Sequence, residues 1–320
     1  MISARQIQDR RLDELLRRQL GPRLLAAIAE PAITDILIND DGRVWFEAHG
    51  KGLYEAGFSI PASQVESLIG TAAAALGTVA NAEDPIVEGE LPIERIRFEG
   101  LLPPVARRPC IAMRKPAQVL YTLDDYVRDG IASAAQAEIL RDASRRRLNI
   151  AIGGGTGSGK TTLAGALINE MVACSAPCER YVIIEDTLEI QCRAQNLVQL
   201  HTSEHADLTR LVRATMRLRP DRIVIGEVRG GEALALLKAW ATGHPGGVTT
   251  VHANSARGVL TRLSSLVQEA GVPPQPELIA ETIHLLAFIA RTPAGRRVTE
   301  LIRVEGYDSR EGFTLAPVEV

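Results

Sequence analysis

Apolar residues over the first thirty positions recur at three- and four-residue spacing: Leu12, Leu15, Leu16, Leu20, Leu24, Leu25 and Ile28. That period places them along one stripe of a helix. Gly21-Pro22 predicts a break, with Pro22 opening the next helical stretch. Residues 33–38 and 44–48 are short extended runs around Asn39-Asp40-Asp41-Gly42, a hairpin signal because glycine adopts positive φ freely. Residues 65–76 read as helix, and 91–113 mixes short apolar runs with Pro92, Pro103, Pro104 and Pro109. This irregular order predicts a smaller α+β domain over 1–118. The character changes at Lys115-Pro116, which sets a linker at about 115–124, and 123–147 reads as charged helix.

From residue 148 the pattern becomes strand, turn, helix, repeated. The runs 148–152, 181–185, 222–226 and 248–251 are short and apolar, separated by segments of helical length. Parallel strands covered on both faces read this way. The tail, at 285–291, 297–304 and 312–318, predicts antiparallel strands with a turn at Pro293-Ala294-Gly295. An α/β domain over 119–320 follows. No apolar run approaches membrane-spanning length and no signal-peptide pattern opens the chain, so a cytoplasmic protein is expected.

Composition narrows the partners. A net charge of -3 and 4% aromatics argue against a groove that tracks nucleic acid, and no sequence-specific nucleic-acid binding is expected. Cys110, Cys174, Cys178 and Cys192 show no zinc-ligand spacing, so they are expected to be thiols in a reducing compartment. Arg5, Arg10, Arg11, Arg17, Arg18 and Arg23 decorate the first helix. A basic amphipathic helix can lie on anionic lipid, although the solvated face of a packed helix is the simpler reading.

The chemistry centres on Gly154-Gly155-Thr156-Gly157-Ser158-Gly159-Lys160-Thr161, which fits G-x-x-x-x-G-K-[ST] between an apolar strand and a helix-competent run opening at Thr162. Glycines let successive backbone N–H groups face phosphate oxygens, and the helix N-terminus adds its positive dipole end. Residues 154–162 are therefore the candidate site for ATP, with Lys160 on the β- and γ-phosphates and the Thr161 hydroxyl on Mg²⁺. The other three apolar strands end in Glu185, Glu227 and His252. In parallel open sheets such strand ends converge on one crevice. Glu185 and Glu227 are candidates to orient water and support Mg²⁺, and the residues leave open which does which. His244 and His252 are candidates to sense the γ-phosphate or a neighbouring subunit.

These segments occur in a familiar order. The phosphate loop, the acidic stretch at 184–189, the stretch at 218–230 and the histidine stretch at 242–253 resemble the Walker A, Asp, Walker B and His boxes of the secretion (traffic) ATPases. The resemblance runs from about residue 91 to 318. The stretch 243–254 is similar to the type IV secretion branch, and 97–105 to its conjugal-transfer members; the four-cysteine module of type II secretion ATPases is missing. The resemblance implies a RecA-like core, a homohexamer on the cytoplasmic face of the inner membrane, and partners among other secretion ATPases and inner-membrane components. It also implies that Arg114, in Ile111-Ala112-Met113-Arg114-Lys115, reaches the nucleotide from the N-terminal domain. Arg97 is the second such arginine, but the family's Asp-Gly-like turn before it is replaced by Leu91-Pro92-Ile93-Glu94-Arg95-Ile96. The expected activity is ATP hydrolysis that drives transfer. A RecA-like DNA translocase and an assembly scaffold with little turnover are the alternatives.

Overall fold

The computed structural model describes residues 4–48, 50–116, 120–203 and 205–318, with the side chains of the first helix from Arg10 onward. The chain divides into two compact units, 1–118 and 119–320.

The first unit contains α1 (Ala4–Ala29), β1 (Ile33–Ile38), β2 (Arg43–Ala48), β3 (Gly52–Ser59), α2 (Ala62–Leu76), β4 (Ile86–Glu90), β5 (Arg97–Leu101) and β6 (Cys110–Arg114). Among the described residues its strands form one antiparallel sheet ordered β3-β2-β1-β6-β5-β4. α1 breaks at Gly21, whose φ of 69° is left-handed, and Pro22 restarts the helix. Leu16, Leu20, Leu24 and Ile28 are buried in one cluster with Leu68 and Ile69 of α2 and Ile36, Phe98 and Met113 of the sheet. Leu15 is 41% exposed, so the buried stripe is narrower than the apolar spacing suggests. On the outer face Arg10 pairs with Glu14, Arg17 with Asp13, and Arg23 stacks over Phe58. The Arg5 side chain lies outside the described residues. β3 has no counterpart in the sequence reading, because its glycines and glutamate mask the alternation.

Between β4 and β5 the chain reverses at Glu94-Arg95. Both have positive φ, 50° and 55°, and Ile96 N–H donates to the Ile93 carbonyl. This is the backbone of a type I′ turn, built without the glycine that suits it. Leu91, Ile93 and Ile96 are buried around it and hold it closed.

The second unit contains α3 (Leu123–Arg128), α4 (Ala134–Arg145), β7 (Ile150–Gly154), α5 (Lys160–Ala173), β8 (Arg180–Glu185), β9 (Asn196–His201), α6 (Leu208–Thr215), β10 (Arg222–Ile225), α7 (Glu232–Ala241), β11 (Val248–His252), α8 (Ala256–Gln268), α9 (Pro276–Thr282), β12 (Leu285–Thr292), β13 (Gly295–Asp308) and β14 (Gly312–Pro317). The charged stretch 123–147 forms two helices rather than one, because Thr122 and Ser133 each start a capping box. The sheet is ordered β14-β13-β12-β7-β11-β10-β8-β9, parallel from β12 to β9 and antiparallel from β12 to β14. The tail is thus only partly antiparallel, since β12 lies parallel to β7. β9 was not visible in the sequence; its Gln199 and His201 interrupt the apolar run.

Period-two alternation divides the core. Ile150, Ile152, Ile183 and Val224 pack with α3, α4 and α5, whereas Ala151, Ile184, Ile225 and Val251 pack with α6, α7, α8 and α9. This is a doubly covered, RecA-like parallel sheet. Its loops at the carboxyl ends of β7, β8, β10 and β11 are where a ligand crevice belongs. Among the described residues, no helix is long and apolar enough to cross a membrane.

Candidate functional site

The phosphate loop grows out of β7, whose five residues are all buried. Gly157 (φ 68°) and Gly159 (φ 100°) supply the left-handed turns that bend the chain back into α5. Ser158 Oγ is buried without a hydrogen-bond partner. Lys160 is 7% exposed and curls its ammonium over the loop, donating to the carbonyls of Gly154 (3.0 Å) and Gly155 (3.1 Å). Burial lowers the Lys160 pKa, and nearby Glu227 opposes that shift. Gly155, Thr156 and Gly157 are exposed along the rim, while Thr161 and Thr162 lie half-buried in the first turn of α5.

Parallel register brings the remaining groups alongside. His252 is the Cα partner of Gly154, and both its ring nitrogens lie 3.5 Å from Lys160 Nζ. His252 Nε2 is 3.0 Å from Glu227 Oε1, although the contact is not an aligned hydrogen bond. Glu227 Oε2 accepts two hydrogen bonds from Arg229, at 2.9 and 2.6 Å. Arg229 also reaches Asp186 at 3.3 Å. The sequence reading assigned no role to Arg229 or Asp186; the signal was their position inside the boxes at 218–230 and 184–189.

Glu185 has a different environment. It is 4% exposed, and its Oε1 accepts from the backbone N–H groups of Glu189 (3.1 Å) and Ile190 (3.0 Å). Its Cγ lies 2.9 Å from where a Cβ on Gly226 would stand, so only glycine leaves room for it there. Glu232 fixes the next turn by accepting from the N–H groups of Arg229 and Gly230.

His244 is not brought to this site. It precedes β11, at the amino ends of the strands, and its Nδ1 donates to the Pro220 carbonyl at 2.8 Å just before β10. Strand β11 separates it from His252 by roughly 13 Å of rise. The surrounding loop is fixed by Asn149, whose Oδ1 accepts from Gly246 and Gly247. Within this chain the His244 ring bonds a carbonyl at the amino ends of β10 and β11, away from Lys160, Glu227 and His252.

Arg97 and Arg114 belong to the first unit, where they are Cα partners across β5 and β6 on an exposed sheet face. Acidic residues flank the pair in register: Glu90 opposite Arg97, and Asp35 opposite Arg114 with an Nε–Oδ1 distance of 3.8 Å. Two arginines directly opposite one another repel. An anion on that face would relieve the repulsion.

The donors of the second unit suit a triphosphate and a hard cation: a buried ammonium, an unpartnered buried hydroxyl, a threonine hydroxyl at the helix start and a carboxylate. Among the described residues no cluster of three or more His, Cys, Asp or Glu forms a metal cage. Mg²⁺, which keeps waters and leans on substrate phosphates, does not require one.

Comparison with known proteins places the chain in a family. The family described as type II/IV secretion system protein matches residues 23–294. A probable conjugal transfer protein TrbB from Sinorhizobium fredii is 51% identical over 297 residues, covering 93% of this chain and 91% of that protein. The type IV secretion system protein PtlH of Bordetella pertussis is 32% identical, covering 74% and 77% respectively. Among solved structures, the ATPase DotB of Legionella pneumophila shares the fold, with a TM-score of 0.62 and 22% identity over 90% of this chain and 80% of that one.

Proposed function

The chain belongs to the type II/IV secretion system protein family, and from that premise we propose that it is an ATP-hydrolysing motor of a conjugal-transfer apparatus. In this reading it works as a homohexamer on the cytoplasmic face of the inner membrane, alongside other secretion ATPases and inner-membrane components. It powers pilus assembly and the transfer of DNA or protein. One observation carries the reading: Lys160, Glu227 and His252 converge at the carboxyl ends of β7, β10 and β11, beside a loop of phosphate-binding geometry.

Residues 154–162 hold the phosphates through backbone N–H groups, and the Lys160 ammonium exchanges its two loop carbonyls for phosphate oxygens. Thr161 and Glu227 are the residues that would hold Mg²⁺. When bound, that ion neutralises charge on the transferring phosphoryl group. Glu185, fixed by two backbone N–H groups, is the rigid acceptor that orients the attacking water. His252 lies between Lys160 and Glu227 and couples the γ-phosphate to the Walker B segment. Arg97 and Arg114 are assigned to the nucleotide's charge, supported by their pairing on one exposed face.

The test is steady-state ATPase activity of wild type beside Glu185→Gln, Glu227→Gln and Arg114→Ala, with mass by light scattering. A hexamer whose turnover falls at least about 100-fold in each carboxylate variant supports the motor. Glu227→Gln should also shift the Mg²⁺ requirement upward, whereas Glu185→Gln should not. A hexamer that binds ATP without turnover favours the scaffold, and DNA-stimulated turnover with steep salt dependence favours the translocase.

A further inference from the structure

The phosphate loop has two flanks. On one, β10 and β11 deliver Glu227 and His252, which contact each other, while Lys160 and Arg229 complete the cluster. On the other, β12 lies parallel to β7 with Phe288 opposite Gly153, then turns into β13. Arg296 stands at the start of β13, directly across from Arg291. Its Cδ and Nε lie 3.4 and 3.8 Å from a Cβ position built on Gly159, the residue that precedes Lys160. The Arg296 stem therefore lies against the loop, beside Ile289, whose Cδ1 is 3.5 Å from the same point.

Arg296 is half-buried and its charge acts on the buried Tyr126 hydroxyl of α3, but among the described residues its guanidinium makes no hydrogen bond and no ion pair with a carboxylate. Arg229, on the opposite flank, is committed to two carboxylates. A guanidinium has five donors in a planar fork, and phosphate is a preferred acceptor. The position fixes which phosphate is meant. The γ end of a bound chain belongs with Lys160, Glu227 and His252. A group on the β12–β13 flank faces the end nearer the nucleoside.

We propose that Arg296 binds the α-phosphate of the nucleotide from the β12–β13 flank, gripping ATP and ADP alike. This rests on reading the loop as an ATP site. It adds a nucleotide-binding residue outside the four boxes.

The experiment is titration of fluorescent ADP and fluorescent ATP analogues into full-length wild type, Arg296→Ala and Arg296→Lys, with melting temperature of the nucleotide-free proteins and a kcat and KM determination. Arg296→Ala should weaken ADP and ATP equally, by about 10- to 100-fold, and raise KM by the same factor. kcat should stay within about twofold, because uniform binding is what is removed. Arg296→Lys should recover part of the affinity, and nucleotide-free melting should be unchanged. Wild-type affinity for both nucleotides in Arg296→Ala would overturn the proposal, as would lowered melting with unaltered affinity. Loss confined to ATP would overturn the α-phosphate assignment by moving the contact to the γ-phosphate. If wild type binds neither nucleotide, the ATP reading of the loop fails first and the proposal falls with it.

Discussion

At the scale of single residues, the two ends of the parallel sheet do different work. At the amino ends, Glu179 accepts from Arg222 at 2.8 Å and from Arg147 at 2.6 Å. Arg222 is 2% exposed, so Glu179→Ala would strand a buried guanidinium. The expected cost is about 3–5 kcal/mol, read from urea unfolding, because breaking one partner of a buried pair leaves uncompensated charge. His284 makes a second prediction. Its Nδ1 accepts from the Asn149 N–H at 3.0 Å, which requires the lone pair of the neutral ring, and burial lowers its pKa below the ordinary 6.5. A depressed folded pKa gives stability that is present above the unfolded value and lost as pH falls through the folded one. Wild-type stability should therefore decline below about pH 6.5, while a His284→Gln protein should lack that component of the slope. Equal slopes between pH 7 and 5 would rule it out.

Elements show what local sequence can and cannot encode. The strand, glycine loop and helix from β7 to α5 were legible because every feature of them is local: an apolar strand, glycines at the turns and a helix-competent run. His244 precedes β11 in the chain, which places it at the amino end of that strand, opposite the end that carries His252. The direction of β12 was hidden, since the same apolar run suits a parallel or an antiparallel neighbour. The split of 123–147 was written in Thr122 and Ser133, which the helical pattern overshadowed. The turn at Glu94-Arg95 carries the third prediction. Left-handed backbone at residues with a Cβ costs on the order of 1–3 kcal/mol each. Replacing the pair by Asn-Gly should raise stability by about 1 kcal/mol, seen as a melting increase of a few degrees. The same change restores a glycine before Arg97, so ATPase activity should be retained.

The whole molecule is proposed to act as a ring, and that reading has its own observable. If hexamerisation completes the site, turnover per chain should fall on dilution, in step with loss of the hexamer by light scattering. Concentration-independent turnover by a monomer would contradict it. The residues proposed to face the nucleotide in the second unit come from loops at four strand ends, and no one of those segments can assemble the site alone.

The division of the second unit's core has a consequence for how substitutions combine. Ile183 and Ile184 are adjacent in β8, yet Ile183 belongs to the cluster with α5 and Ile184 to the cluster with α8. Trimming both to valine should cost close to the sum of the single effects. Ile184 and Ile225, Cα partners on neighbouring strands and in one cluster, should instead show epistasis. Two largely independent sets of tolerated changes are thus interleaved along one strand, and covariation should run across the sheet rather than along the chain.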